Sequence, residues 1–179
     1  TYLICQMDTE GIAYNMPQNL RLTEEVRPEV MKEALQQILN RHEILRTEFM
    51  MVDGEPVQKI LEYVEAEFTY IKDTETPEEE LTASFMKPFD LGKAPLVRMN
   101  LVDRGEYHLL NIDMHHIVGD GMSMGTFTRE FNALYNGETL EPLTHQFKDY
   151  SEWMAGRDLT SQADYWKSQF DDEIPVLDM

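Results

Sequence analysis

The residues best suited to chemistry in this sequence are two adjacent histidines, His115 and His116, followed by Asp120 between Gly119 and Gly121. Histidine changes its charge closest to neutral pH, so either ring can accept or release a proton under working conditions. An aspartate four residues after His116 can orient a ring or hold the loop shut, and glycines on both sides of it allow a sharp turn. The pattern indicates a proton-transfer site at the end of an apolar strand.

Side-chain alternation along the preceding strand separates the two histidines. If the strand extends to residue 116, His116 lies on the apolar face with Met114, and His115 lies on the other face. Burial beside apolar groups disfavours the charged ring, so we expect His116 to be neutral and basic, as a general base must be. The following helix begins with unpaired N–H groups, which can stabilise a carbonyl oxygen that gains negative charge.

Two other interpretations apply to the same residues. A histidine and an aspartate at this spacing often only hydrogen-bond, which would make the motif structural. His115, His116 and Asp120 are also possible metal ligands. Adjacent histidines on a strand point to opposite faces, and the sequence holds no further cysteine or histidine cluster to complete a metal site.

The composition limits the partners and compartments that suit this chain. Its 179 residues are 42% hydrophobic, which is sufficient for one folded domain. A net charge of -19, from 34 acidic and 15 basic residues, disfavours nucleic acid and anionic membrane as partners. No apolar run reaches the roughly 18 residues that span a bilayer. The single cysteine excludes an internal disulfide and fits a reducing, cytoplasmic environment.

Periodicity predicts an α+β fold in which strands and helices do not alternate as regular βαβ units. Extended segments are expected over 16–22, 44–51, 57–61, 66–71, 96–102 and 107–114. Helices are expected over 28–41, 77–86 (with Thr76 as cap), 123–135, 147–155 and 161–170. We predict a two-layer sandwich, with helices on one face of a mixed or mostly antiparallel sheet.

Further motifs follow in a recognisable order. Residues 41–49 read RHEILRTEF, residues 14–17 read YNMP, residues 88–96 contain PFDL and APL, and residues 147–153 read FKDYSEW. Together with His-His-x-x-x-Asp-Gly at 115–121, these motifs resemble the condensation domain of nonribosomal peptide synthetases. The resemblance covers essentially the whole chain, and its details favour the subtype that joins two L-configured residues.

The resemblance also implies a domain organisation. Condensation domains have two lobes that each resemble chloramphenicol acetyltransferase, and all the motifs found here belong to the first lobe. The expected division is an N-terminal lobe with a clipped start over 1–170 and the beginning of the inter-lobe linker over 171–179, with the C-terminal lobe absent.

The activity implied by the resemblance is amide bond formation between two thioesters, which upstream and downstream peptidyl carrier proteins present on phosphopantetheine arms. The second histidine of the family signature is the functional one, here His116, which takes the proton of the attacking amine or holds the amine in place. Arg41 or Arg46 is the implied ion-pair partner of Asp120, and Gly121 is expected to permit a backbone turn. The carrier proteins bring the arm, so no metal or free cofactor is implied for this chain.

Two alternative functions stay open. One is a non-catalytic half-domain without its second lobe, and the other is a stand-alone acyltransferase of the same superfamily that works as an oligomer. The family's substrate channel lies between the lobes, so we expect an isolated lobe to be inactive or weakly active. The expected partners are the C-terminal lobe, the carrier proteins and, through the exposed lobe face, a second copy of the chain.

Overall fold

The computed structural model describes residues 2–7 and 11–170 of the chain. These fall into two compact units, with the boundary between Thr144 and His145. The predicted linker start at 171–179 lies outside the described residues.

The first unit contains a mixed sheet, a β-hairpin and four helices among its described residues. The helices are α1 (Tyr2–Met7), α2 (Pro28–Arg41), α3 (Glu78–Phe85) and α4 (Gly121–Tyr135), with a 3-10 turn at Glu43–Arg46. The strands are β1 (Gln18–Leu22), β2 (Thr47–Val52), β3 (Glu55–Ile60), β4 (Glu67–Lys72), β5 (Val97–Asp103) and β6 (His108–Met114). The sheet order is β1-β6-β5-β4, antiparallel except for the parallel β4–β5 pair, while β2 and β3 form the hairpin.

Both faces of the central strands β5 and β6 are buried. One face belongs to the main core, which also receives the apolar sides of α2 and α4, and its strand members are Val97, Met99, Leu101, Leu110, Ile112 and Met114. On the other face, Val102 and Leu109 pack against Leu81 of α3. The predicted α+β fold with a mixed sheet is confirmed, and α3 adds a short helix on the second face.

Helix α2 follows the prediction because its apolar residues recur at helical spacing. Pro28 occupies the first turn, and the buried positions are Met31, Ala34, Leu35, Ile38 and Leu39. This face packs into the main core beside the sheet. The helix ends at Arg41, so the following motif residues begin at the edge of the core.

Three local predictions differ from the structure. Residues 43–46 form a 3-10 turn rather than extended chain, since backbone hydrogen bonds from Leu45 to His42 (3.1 Å) and from Thr47 to Ile44 close it. Thr76 does not cap α3, because its amide donates to Asp73 and Pro77 takes the cap position. Helix α4 begins at Gly121, ahead of the predicted residue 123.

The second unit contains helices α5 (Phe147–Ala155) and α6 (Thr160–Ser168). Both lie where helical periodicity predicts them. At the start of α5, the Gln146 amide donates to the Asp149 carboxylate at 2.8 Å, which satisfies one of the unpaired groups at the helix start. None of the helices in the described part of the chain is both long and apolar enough to cross a membrane.

Candidate active site

The two adjacent histidines lie in different environments. Strand β6 ends at Met114, and the chain turns directly after His115. His115 is only 5% exposed and bridges to Asn15, whereas His116 is exposed and its backbone N–H donates to the Tyr14 carbonyl at 2.8 Å. The prediction that His116 is the desolvated histidine is therefore wrong. Both faces of β6 are buried, and the strand ends before alternation reaches residue 116.

Both ring nitrogens of His115 have protein partners. Nδ1 accepts a hydrogen bond from the Ile117 amide at 3.0 Å, which places the proton of the neutral ring on Nε2. Nε2–H then donates to Sγ of Cys5 at 3.7 Å. Burial, with a smaller contribution from the neighbouring His116, lowers the pKa of His115 to about 4. His115 is thus neutral at physiological pH and holds the turn that presents His116.

Asp120 caps helix α4. Its Oδ1 accepts hydrogen bonds from the amide and the hydroxyl of Ser123, both at 2.8 Å. These two bonds hold the pKa of Asp120 below its ordinary value, and the nearby His116 adds a smaller effect in the same direction. The carboxylate is exposed, so it serves the helix start while staying within electrostatic reach of His116.

The predicted ion pair between Asp120 and an arginine is wrong. Arg41 Nε instead lies 3.1 Å from Glu130, and the guanidinium of Arg46 lies 3.8 Å from Glu43. The physical reason is burial: Glu130 is only 8% exposed and must have charged or hydrogen-bonding partners, whereas Asp120 faces water at a helix start.

Glu130 is a site-supporting residue that the sequence analysis missed. Its carboxylate contacts Arg41 and also lies 2.7 Å from Nε2 of His42. This cluster joins the end of α2 to the middle of α4. A local signal exists, since Glu130 lies three residues after Phe127 and therefore on the apolar side of its helix, where an acid needs a partner.

Of the two glycines around Asp120, only Gly119 lies so close to other residues that a side chain would collide with them. A Cβ at Gly119 would lie 2.8 Å from the sulfur of buried Met114 and 3.3 Å from Cβ of Ser123. Gly121 is the first residue of α4, and a Cβ there would meet nothing within 4 Å. The expectation that Gly121 is needed for a special turn is therefore wrong, and the missing side chain matters at Gly119.

An open pocket of about 390 Å³ lies beside this turn. Its wall is formed by apolar side chains, and Asp120 and Ser123 lie at the same pocket. The apolar residues are Ile44, Leu45, Met114, Val118, Met122 and Phe127. The arrangement can take an apolar group close to the loop that carries His116.

Comparison with known proteins identifies the family. The Condensation domain family matches residues 1–179. The chain belongs to the condensation domain family. Among curated relatives, this condensation domain chain is 44% identical to bacitracin synthase 3 from Bacillus licheniformis, over 99% of the chain and 3% of that protein. It is 41% identical to surfactin synthase subunit 1 from Bacillus subtilis (strain 168), over 98% of the chain and 5% of that protein.

Solved structures show the same fold. The starter condensation domain of rhizomide synthetase RzmA matches with a TM-score of 0.78 at 21% identity, over 99% of this chain and 48% of that chain. The X-domain from teicoplanin biosynthesis matches with a TM-score of 0.73 at 28% identity, over 97% and 38%. The predicted condensation-domain fold is confirmed, and the chain spans about half the length of the first of these structures.

Among the residues that the structure describes, no group of three or more histidine, cysteine, aspartate or glutamate side chains is placed to hold a metal ion. Both ring nitrogens of His115 are used by Ile117 and Cys5, so this ring offers no nitrogen for a metal shared with His116. The chemical group that this site offers is therefore the exposed imidazole of His116, on a turn whose backbone is hydrogen-bonded to Tyr14.

Replacing Asp120 with alanine is expected to lower the melting temperature only modestly, by about 2–4 °C, because it removes one helix cap at an exposed position. Asp120→Asn is the matched control, since asparagine also caps helices and should stay close to wild type. Thermal unfolding followed by circular dichroism measures both. A collapse of the fold in Asp120→Ala would mean that the carboxylate has a buried partner.

Proposed function

We propose that this chain supplies the histidine-bearing lobe for peptide bond formation between two carrier-bound thioesters. The observation that carries the proposal is the different environment of the two histidines. His115 is buried, neutral and bonded through both nitrogens, while His116 presents an exposed ring from a fixed backbone. Membership of the condensation domain family supports this function.

In the proposed reaction, the amino group of the downstream aminoacyl thioester attacks the carbonyl carbon of the upstream thioester. A C–N bond forms, the C–S bond breaks, and the donor arm leaves as a thiolate. His116 hydrogen-bonds the attacking amine and accepts the proton that it loses. The thioester is already activated, so orientation of the amine supplies much of the acceleration.

The proposed partners follow from the same reaction. Upstream and downstream peptidyl carrier proteins bring both substrates on phosphopantetheine arms, so the chain itself needs no cofactor. The C-terminal lobe is the proposed second wall of the channel, in keeping with a chain that spans 48% of the rhizomide starter domain. The proposed compartment is the cytoplasm, in keeping with the single cysteine of the chain.

The direct test is peptide transfer between two loaded carrier proteins, followed by the intact mass of the acceptor carrier. The chain alone is compared with a two-lobed protein in which this chain is followed by a second lobe. We expect transfer in the two-lobed wild type and a loss of roughly 100-fold or more in its His116→Ala variant. His116→Asn, which keeps a hydrogen-bonding group without a base, reports how much of the effect is orientation.

His108→Ala is the matched control, since His108 lies at the opposite end of β6 and stacks on Tyr70. It should transfer at the wild-type rate. If His116→Ala transfers as fast as wild type, the assignment of His116 is overturned. If the chain alone transfers at full rate and its mass doubles with concentration, the stand-alone oligomeric acyltransferase replaces the two-lobed proposal.

A further inference from the structure

A buried ion pair lies on the sheet face opposite the main core, close to the histidines. Arg98 Nη2 contacts Oδ2 of Asp113 at 2.6 Å, with Asp113 fully buried and Arg98 7% exposed. Removing two charges from water costs so much that well-packed apolar residues often do as well or better for stability. Stability alone therefore gives no reason for this pair, and its contacts point to a second role.

The pair is extended by the side chain of Asn15. Nδ2 of Asn15 donates to Oδ2 of Asp113 at 2.7 Å and to the Lys87 carbonyl at 3.0 Å, and Arg98 donates to the same carbonyl. Both amide hydrogens of Asn15 are thus used. They tie an irregular segment of chain to β6 at a point two residues before His115.

The backbone around Asn15 is hydrogen-bonded to residues 114–116, at the start of the turn that carries His116 (the histidine turn). Asn15 bridges to His115, the Met16 amide donates to the Met114 carbonyl at 2.8 Å, and the Tyr14 carbonyl accepts from the His116 amide at 2.8 Å. Residues 14–16 therefore act as a short added strand along residues 114–116, and Tyr14 supplies the backbone partner of His116.

A second contact path runs through an aromatic ring. The guanidinium of Arg98 lies 4.0 Å from the centre of the Phe89 ring. The Phe89 ring in turn meets the His115 ring in an edge-to-face arrangement at 6.0 Å. The ion pair thus supports both histidines, His115 through this ring and His116 through the added strand.

We infer that Asn15, held by Asp113, which is itself paired with Arg98, is a positioning residue that fixes the backbone of His116. The inference rests on the proposed role of His116 in amine binding. Asn15 touches no reacting atom. It acts through the backbone contacts of residues 14–16, of which the Tyr14 carbonyl binds the His116 amide. Its loss should therefore free the His116 turn while the buried ion pair keeps the sheet intact.

The test is Asn15→Ala, with amide hydrogen exchange measured residue by residue in this chain. We expect exchange at His116 and Met16 to rise by roughly tenfold or more, with the rest of β6 unchanged. In the two-lobed protein, the rate constant of peptide transfer should fall by about 100-fold while KM for the carriers stays the same. Loss of positioning changes the rate constant, whereas general instability changes the amount of active protein.

Asn100→Ala is the matched control, because Asn100 also uses its amide on the same sheet, with Thr69 and Asn111, away from residues 14–16. It should leave exchange at His116 and transfer unchanged. Unchanged exchange at His116 in Asn15→Ala, or a rise spread evenly over the sheet, overturns the positioning role. So does unchanged transfer by Asn15→Ala while His116→Ala is inactive. Transfer by His116→Ala at the wild-type rate would overturn the proposed function instead, and the exchange result would still decide whether Asn15 fixes the turn.

Discussion

Arg98→Ala is expected to destabilise the first unit by about 3–5 kcal/mol, because it leaves the carboxylate of Asp113 buried without its cation. The remaining hydrogen bond from Asn15 is too little to balance the desolvation of a full charge. The loss should be visible in urea unfolding at pH 7.5 as a lower midpoint with an unchanged slope.

The double variant Arg98→Met/Asp113→Leu separates the charge from the packing. It removes both charges together and should recover most of the stability lost in Arg98→Ala. It should not recover the protection of the His116 amide, because the anchor of Asn15 on Asp113 is gone. If the double variant is as unstable as the single one, the cost lies in packing and not in the uncompensated charge.

Lowering the pH from 6.5 to about 4 is expected to reduce the free energy of unfolding by on the order of 3 kcal/mol through His115 alone. The folded protein holds the pKa of His115 at about 4, whereas the ordinary value is 6.5. Between these values the unfolded chain binds a proton that the folded chain does not. The stabilising contribution is therefore complete above pH 6.5 and is lost progressively as the pH falls towards 4.

Two variants isolate this effect from the titration of the many carboxylates. His115→Asn and His115→Leu both lack the titrating ring, so their stability should fall less than that of wild type between pH 7.5 and pH 4.5. Only His115→Asn keeps an acceptor for the Ile117 amide, and it should be the more stable of the two at pH 7.5. Urea unfolding at several pH values measures the profiles, and parallel profiles for all three proteins would contradict the prediction.

The elements of the fold could be predicted where a local pattern determines them. The apolar spacing of α2 and the alternation of β6 depend on neighbours a few residues away, so both were placed from sequence. The environments of the histidines could not be placed, because they depend on where β6 ends and on what covers its second face. Alternation alone predicts that His116 is the buried histidine, whereas in the structure the buried one is His115.

Contacts between side chains that are distant in sequence also could not be predicted. The family resemblance implied an arginine partner for Asp120, but the neighbouring amide and hydroxyl of Ser123 bind its carboxylate instead. Glu130 and Asn15 lie far along the chain from their partners, Arg41 and Asp113, and no period connects them. The family resemblance suggested the proposed role of His116, whereas the contacts that hold its backbone could be identified only in the three-dimensional structure.

The pairing of β1 with β6 affects how the protein is made. Leu20 of β1 pairs with Leu110 of β6. During synthesis, β1 therefore has no partner strand until roughly 90 further residues have been added. At synthesis rates of about 5–20 residues per second, this wait lasts roughly 5–20 s. The nascent chain carries an unpaired strand throughout that time. The Tyr14 carbonyl likewise has no His116 amide to bind until residue 116 has been synthesised. The histidine turn therefore forms only when one of the last segments of the first unit has left the ribosome.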